Sequence, residues 1–125
     1  MRALLVALLA VAPAAMACEL PGGGAQKLQS AHYLVLYRSN PAPLKVGQHF
    51  ALEFAVCPAP ESVRVDAWMP DHKHGMNYRA TITGKGEGPY KAEGLMLHMA
   101  GKWELIFEVR AKDKVERAVQ TIRLE

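Results

Sequence analysis

The sequence has no long hydrophobic run and no helical pattern beyond its first residues. The apolar run near its start, Ala3 to Val11, falls well short of the roughly 20 residues that a membrane-spanning helix needs. No later segment has the periodicity of an amphipathic helix, so a helix-borne zinc set such as His-Glu-x-x-His is not expected. We therefore predict no transmembrane span in the mature chain and no zinc hydrolase.

The chain also lacks an excess of charge of one sign. It carries 15 Lys and Arg side chains against 12 Asp and Glu, and the two signs alternate along the sequence instead of forming runs. Nucleic-acid binding proteins gather basic residues on one face or along one element. We therefore expect no nucleic-acid partner.

The N-terminus has the three parts of a secretory signal. Met1-Arg2 supplies a positive start, Ala3 to Val11 an apolar centre, and Ala15-Met16-Ala17 a small-residue cleavage motif. Residues 1–17 are predicted to be removed, which leaves residues 18–125, the usual size of one domain. The protein is expected to work outside the cytoplasm, in the periplasm or otherwise secreted.

Only two cysteines occur, Cys18 and Cys57. In an oxidising compartment an even pair is expected to form a disulfide, and we favour that interpretation. The alternative is a lipid on Cys18, which would follow directly after the cut. Bacterial lipoprotein signals favour Leu three positions before that cysteine, where this chain has Ala15.

Arrangements for catalysis are missing. No serine lies in a nucleophile elbow, and Cys57 is expected to be oxidised, so no Cys/His pair remains for acyl transfer. The glycines at 84, 86 and 88 precede a predicted strand instead of a helix, which excludes a phosphate cradle of the usual kind. We predict that the protein is not an enzyme.

Short runs with period-2 alternation fill the rest of the chain, separated by Gly, Pro, Asn and Asp. The clearest are residues 50–57 and 103–110, and weaker ones bring the count to about seven: 31–38, 62–68, 77–83, 90–98 and 115–124. Their spacing suits a sandwich. We predict an all-β fold, with residues 18–30 a flexible N-terminal segment and residues 31–125 one immunoglobulin-like β-sandwich domain.

Methionine and histidine cluster in one window of the sequence. All four methionines beyond the signal lie within residues 69–99, together with three of the five histidines: Met69, Met76, Met96, Met99, His72, His74 and His98. Thioether and imidazole together are the ligand set that favours copper, the soft sulfur suiting Cu(I) in particular. The cofactor that this window predicts is copper, with Cu(I) favoured over Cu(II).

The spacing inside the window suggests which residues would act together. If residues 68–76 are extended, His72, His74 and Met76 project to the same side, and Gly75 removes a side chain beside the ion. Further ligands could come from Met69 and, on a neighbouring strand, from His98 or Met99. The alternative is that the methionines fill the core and the histidines are solvated, since methionine packs irregular gaps well.

Two blocks of the sequence resemble the YtkA-like family of small exported β-sandwich proteins. Residues 66–76 contain a Met-Pro turn that runs into a histidine, and residues 88–105 contain a Gly-x-Tyr strand and a Met-x-Gly-x-Trp turn. The resemblance implies an immunoglobulin-like sandwich in the periplasm or on the cell surface, with a link to copper handling and cytochrome oxidase assembly. Met69, His72 and Met99 match family positions, whereas His74, Met76 and His98 rest on the chemical argument.

Three functions are open on the sequence. The first is an exported copper carrier or chaperone that uses the histidines and methionines above. The second is a metal-free interaction module for a membrane-bound or periplasmic partner, which would bind an apolar patch of Trp68, Met69, Met76 and Met99. The third, a small-ligand binder, leaves little room inside so small a domain once its own core is packed.

Overall fold

Two antiparallel sheets pack face to face in a computed structural model, which describes residues 7–11 and 18–125. Nine strands form them: β1 (Gln26–Gln29), β2 (Leu34–Asn40), β3 (Phe50–Cys57), β4 (Ser62–Met69), β5 (His74–Gly75), β6 (Thr81–Thr83), β7 (Tyr90–Leu95), β8 (Gly101–Ala111) and β9 (Lys114–Leu124). The predicted cleavage motif at residues 15–17 lies outside the described residues. Those residues include no helix of the length and apolar character that a membrane crossing requires.

The strand order confirms the predicted sandwich. One sheet runs β1-β2-β3-β7-β6 and the other β5-β4-β8-β9. Apart from the additional edge strand β1, this is the arrangement of an immunoglobulin domain, with four strands in one sheet and, in the other, three strands and a short extra edge strand. The chain changes sheet between β3 and β4, between β5 and β6, and between β7 and β8, so the connection after β7 spans one end of the sandwich.

Alternation within the strands builds the core as predicted. On β3 the side chains of Phe50, Leu52, Phe54 and Val56 are buried, and on β8 those of Trp103, Leu105, Phe107 and Val109. The two sets meet between the sheets, where the rings of Phe54 and Phe107 lie edge to face with centroids 5.2 Å apart. Each such side chain contributes about 1.5–3 kcal/mol through burial.

The prediction of about seven strands was too low, because two short strands escaped it. β1 has the sequence Gln-Lys-Leu-Gln, which lacks apolar alternation, and it lies within the N-terminal segment 18–30. β5 has only two residues, too few for any period to appear. Both are held by pairing with a longer neighbour, β1 with β2 and β5 with β4, so their conformation depends on tertiary contacts that a local pattern does not contain.

The N-terminal segment lies against the outer face of the five-stranded sheet. Cys18 and Cys57 are at disulfide distance, with their Sγ atoms 2.03 Å apart. Leu20 is buried against Leu36 and Ala55, which explains why Ala55 is buried on a face that alternation predicts to be solvated. The guanidinium of Arg38 donates hydrogen bonds to the carbonyls of Pro21 and Gly23, so the segment is attached in its middle as well as at Cys18.

Removing the disulfide is expected to lower the free energy of unfolding by about 3–4 kcal/mol, because the bond closes a long loop in the unfolded chain. The cysteines are 39 residues apart in sequence. Urea unfolding of a protein of residues 18–125, with and without reductant, measures the change. The Cys18→Ser, Cys57→Ser double variant is the control and should not respond to reductant. An unfolding curve of the wild type that reductant leaves in place would contradict the disulfide, and the intact mass would then reveal a lipid.

Candidate metal site

The first part of the site is a tight turn between β4 and β5. The amides of His72 and Lys73 both donate to the carbonyl of Met69, at 3.2 and 2.8 Å. Pro70 is suited to the second position of such a turn because its φ is already fixed. The prediction that residues 68–76 form one extended stretch is therefore wrong: residues 70–73 are the turn, His72 lies exposed on it, and His74 begins β5.

The second part of the site is the connection between β7 and β8, residues 96–100. The amide of Gly47 donates to the carbonyl of Leu97 at 2.9 Å, and the Leu97 side chain is fully buried. The indole Nε1–H of Trp103 donates to the carbonyl of Met99 at 3.0 Å. These bonds hold the backbone on both sides of His98.

Trp103 forms the inner wall that both parts share. Its side chain has no exposed surface, and the rings of His74 and His98 meet it edge to face with centroid distances of 6.1 and 5.6 Å. We did not predict this role from the sequence, where Trp103 stood out only as a core residue and as part of the Met-x-Gly-x-Trp turn. The Met-x-Gly-x-Trp spacing was the available signal, because the Trp103 indole donates its hydrogen bond to the carbonyl of Met99, four residues earlier.

Two imidazoles, those of His74 and His98, lie on this wall, and the ring of His72 lies next to that of His74. The ring centroids of His72 and His74 are 5.8 Å apart, and those of His74 and His98 are 5.3 Å apart. Two imidazoles that bind one ion at about 2 Å from each nitrogen hold their centroids about 5–6 Å apart. Both centroid distances fall in that range, and His74 belongs to both pairs, with 38° between the ring planes of His72 and His74 and 30° between the stacked rings of His74 and His98.

The hydrogen bonds of the rings determine which nitrogens are free. His74 Nδ1 lies 2.9 Å from the carbonyl oxygen of Gly75, and because a carbonyl can only accept, Nδ1 carries the proton and Nε2 keeps its lone pair. His98 Nδ1 is buried and has no hydrogen-bond partner, the one such side-chain nitrogen or oxygen within residues 7–11 and 18–125. Neither His74 Nε2 nor His98 Nδ1 is thus engaged by another group of the described residues.

Met69 lies beside these rings on the core side. It is paired directly with His74 across β4 and β5, which places the two Cβ atoms about 4.5–5.5 Å apart on the same face. Its side chain is 1% exposed, and a Cβ added at Gly101 would come within 3.0 Å of its methyl group. Met99 is half-buried against the core and contributes its carbonyl to Trp103.

Met76 occupies a different place. Its amide donates to the carbonyl of Ala67 at 3.3 Å, continuing the pairing of β5 with β4, and its half-buried side chain borders an open groove that Trp68 and Tyr78 also line. Gly75 lies opposite Trp68, and a Cβ there would be 3.2 Å from the Ala67 carbonyl oxygen. The glycine thus permits close approach of β5 to β4, which corrects the prediction that it makes room for an ion.

The predicted apolar patch is wrong in one member and partial in others. Met69 is buried, and Met76 and Met99 are only half-exposed, whereas Trp68 is 40% exposed.

The donor set near Trp103 is mixed, with imidazole nitrogens beside thioether sulfur. Within the described part of the chain, no three His, Cys, Asp or Glu side chains are grouped so as to hold a metal ion.

Fold and site together define a small immunoglobulin-like sandwich with a histidine and methionine cluster at one end. The chain belongs to the YtkA-like family, whose model matches residues 39–108, more than half of the sequence. The matched range includes the turn at 70–73, the connection at 96–100 and Trp103. No curated protein and no solved structure gives a significant match to the chain.

The variant Gly101→Ala is expected to displace the Met69 side chain on the core side of the site. Gly101 has φ +126°, where a residue with a side chain costs about 1–3 kcal/mol, and the new methyl would also press on Met69. Thermal unfolding should show a clear loss of stability. Gly86→Ala is the matched control, since Gly86 also has positive φ but no atom within 4 Å of the added Cβ. Equal losses in the two variants would show that contact with Met69 adds nothing.

Proposed function

We propose that the protein is an exported copper-binding protein, a carrier or chaperone that holds one copper ion with imidazole and thioether ligands. The observation that carries the proposal is the buried, unpartnered Nδ1 of His98, whose ring lies 5.3 Å from that of His74. In this proposal the two rings are the central ligands. Met69 or Met99 supplies sulfur, and His72 lies next to His74 on the solvent side, with its ring centroid 5.8 Å away.

An ion would remove a cost that the fold otherwise carries. A buried polar atom without a partner costs about 1–3 kcal/mol, and a lone pair on His98 Nδ1 is satisfied by a metal as well as by a proton donor. Since the disulfide consumes both thiols, only softer neutral donors remain beside the imidazoles. A thioether with imidazoles favours Cu(I) over the harder divalent ions.

The surrounding residues have supporting roles in this proposal. The Gly75 carbonyl fixes the proton on His74 Nδ1 and leaves Nε2 as the metal donor, as second-shell acceptors do for metal-bound histidines. Trp103 covers the inner side of both rings and excludes water from it. Its hydrogen bond to the Met99 carbonyl keeps His98 opposite His74.

Anaerobic Cu(I) competition titration of the mature domain tests the proposal. We expect one ion per chain. The double variant His74→Ala, His98→Ala should lose more affinity than the roughly 10- to 100-fold seen when second-shell partners of metal ligands are removed. The variant His32→Ala, His49→Ala is the matched control, since both residues are exposed and neither belongs to the cluster. Binding that is equally strong in all three proteins would contradict the site.

A second candidate is a metal-free module for a membrane-bound or periplasmic protein. It is supported by Trp68 and Tyr78, which are 40% and 42% exposed and border the same groove. Large aromatic side chains at that exposure are typical of protein contacts. This groove lies on the outer side of the β4–β5 hairpin, whereas the imidazoles lie toward the core side.

The second candidate predicts cross-links to a partner in the exporting cell that persist in a strong copper chelator. The double variant Trp68→Ser, Tyr78→Ser should abolish them, because it removes both exposed rings from the groove. Val119→Ser is the control, since Val119 is 42% exposed on β9 and is not among the groove residues. Cross-links that the chelator removes, or that the control variant removes equally, would count against a metal-free contact at this groove.

A further inference from the structure

The three imidazoles differ in how far each is from solvent. His72 is exposed on the turn at residues 70–73, and His74 is half-buried on β5. His98 is half-buried as a residue, but its Nδ1 is inaccessible. The row His72, His74, His98 therefore begins at the surface, and its last two rings lie on Trp103, with ring centroids 5.8 and 5.3 Å apart along the row.

We infer that this row is a two-position path for Cu(I), in which His72 and His74 form an outer exchange position and His74 and His98 an inner holding position. The inference rests on the proposed copper-binding function and assigns different roles to the histidines of the site. His72 governs how fast the ion enters and leaves. His98 governs how tightly it is held.

The shared ligand makes the movement between positions possible. Because His74 belongs to both pairs, an ion can keep its bond to His74 Nε2 while the bond to His72 breaks and a bond to His98 Nδ1 forms. One metal–nitrogen bond is exchanged for another, and neither electrons nor protons are transferred. His74 can serve this way because its Nδ1–H is already bound to the Gly75 carbonyl, leaving Nε2 as its donor.

The burial of the surrounding side chains decides which end of the histidine row a copper-accepting molecule can reach. Trp103 and Met69, at 0% and 1% exposure, line the inner position, so a donor atom from another molecule cannot approach from the core side. His72, in contrast, lies on a turn whose residues 71–73 are all exposed. An acceptor therefore replaces His72 first, and the ion is handed over by ligand exchange at the surface.

Transfer of Cu(I) from the loaded mature domain to a chromophoric bicinchoninate chelator, followed by stopped flow, tests the path. The variant His72→Ala should slow transfer by roughly tenfold while its equilibrium affinity changes less than about threefold. The variant His98→Ala should do the reverse, losing affinity by more than roughly tenfold and releasing copper faster. His72→Met, which keeps a Cu(I) ligand at the exposed position, should restore the rate.

Asp71→Ala is the matched control, since Asp71 lies on the same turn and is exposed. It should transfer copper at the wild-type rate. Equal affinity losses in the His72 and His98 variants, or a His72→Ala rate equal to that of the wild type, would overturn the path while leaving copper binding intact. Absence of Cu(I) binding by the wild-type domain would instead overturn the proposed function itself.

Discussion

The hydrogen bond from the buried indole of Trp103 to the Met99 carbonyl is the contact on which the site depends. Trp103 lies near the start of β8 with no exposed surface, so it belongs to the core of the sandwich. Its bond reaches out of that core to the connection between the two sheets. Because the rings of His74 and His98 both pack against the same indole, core and site share one rigid surface, and a change in either is transmitted to the other.

The immunoglobulin-like topology explains why residues distant in sequence meet there. The β4–β5 hairpin belongs to the four-stranded sheet, and the connection after β7 arrives from the five-stranded sheet. Both reach the same end of the sandwich, and each presents histidine there. Loops carried on a rigid β-scaffold are a common way to position binding residues, because the strands fix the loop ends. The site is thus a product of how the chain crosses between sheets.

Much of the fold could be predicted because alternation reports burial directly. β3 and β8 have one side facing the core along their whole length, so their apolar residues recur at every second position. β1 and β5 are held by a neighbouring strand and carry no such signal. For the site, the histidines that cluster in sequence also lie next to one another in pairs, His72 with His74 and His74 with His98. Parity failed because it assumes an extended chain: Pro70 begins a turn that leaves His72 outside β5, and β5 ends at Gly75, before Met76. The role of Trp103 depends on packing across the sandwich, which local patterns do not encode.

Above all, we propose that copper is held between the rings of His74 and His98 with thioether sulfur beside them. X-ray absorption at the copper edge of Cu(I)-loaded residues 18–125 measures the ligand atoms directly. We expect imidazole nitrogen scattering together with at least one sulfur, and loss of part of the imidazole signal in the variant His98→Ala. A spectrum with no sulfur, or one that His98→Ala leaves unchanged, would contradict it.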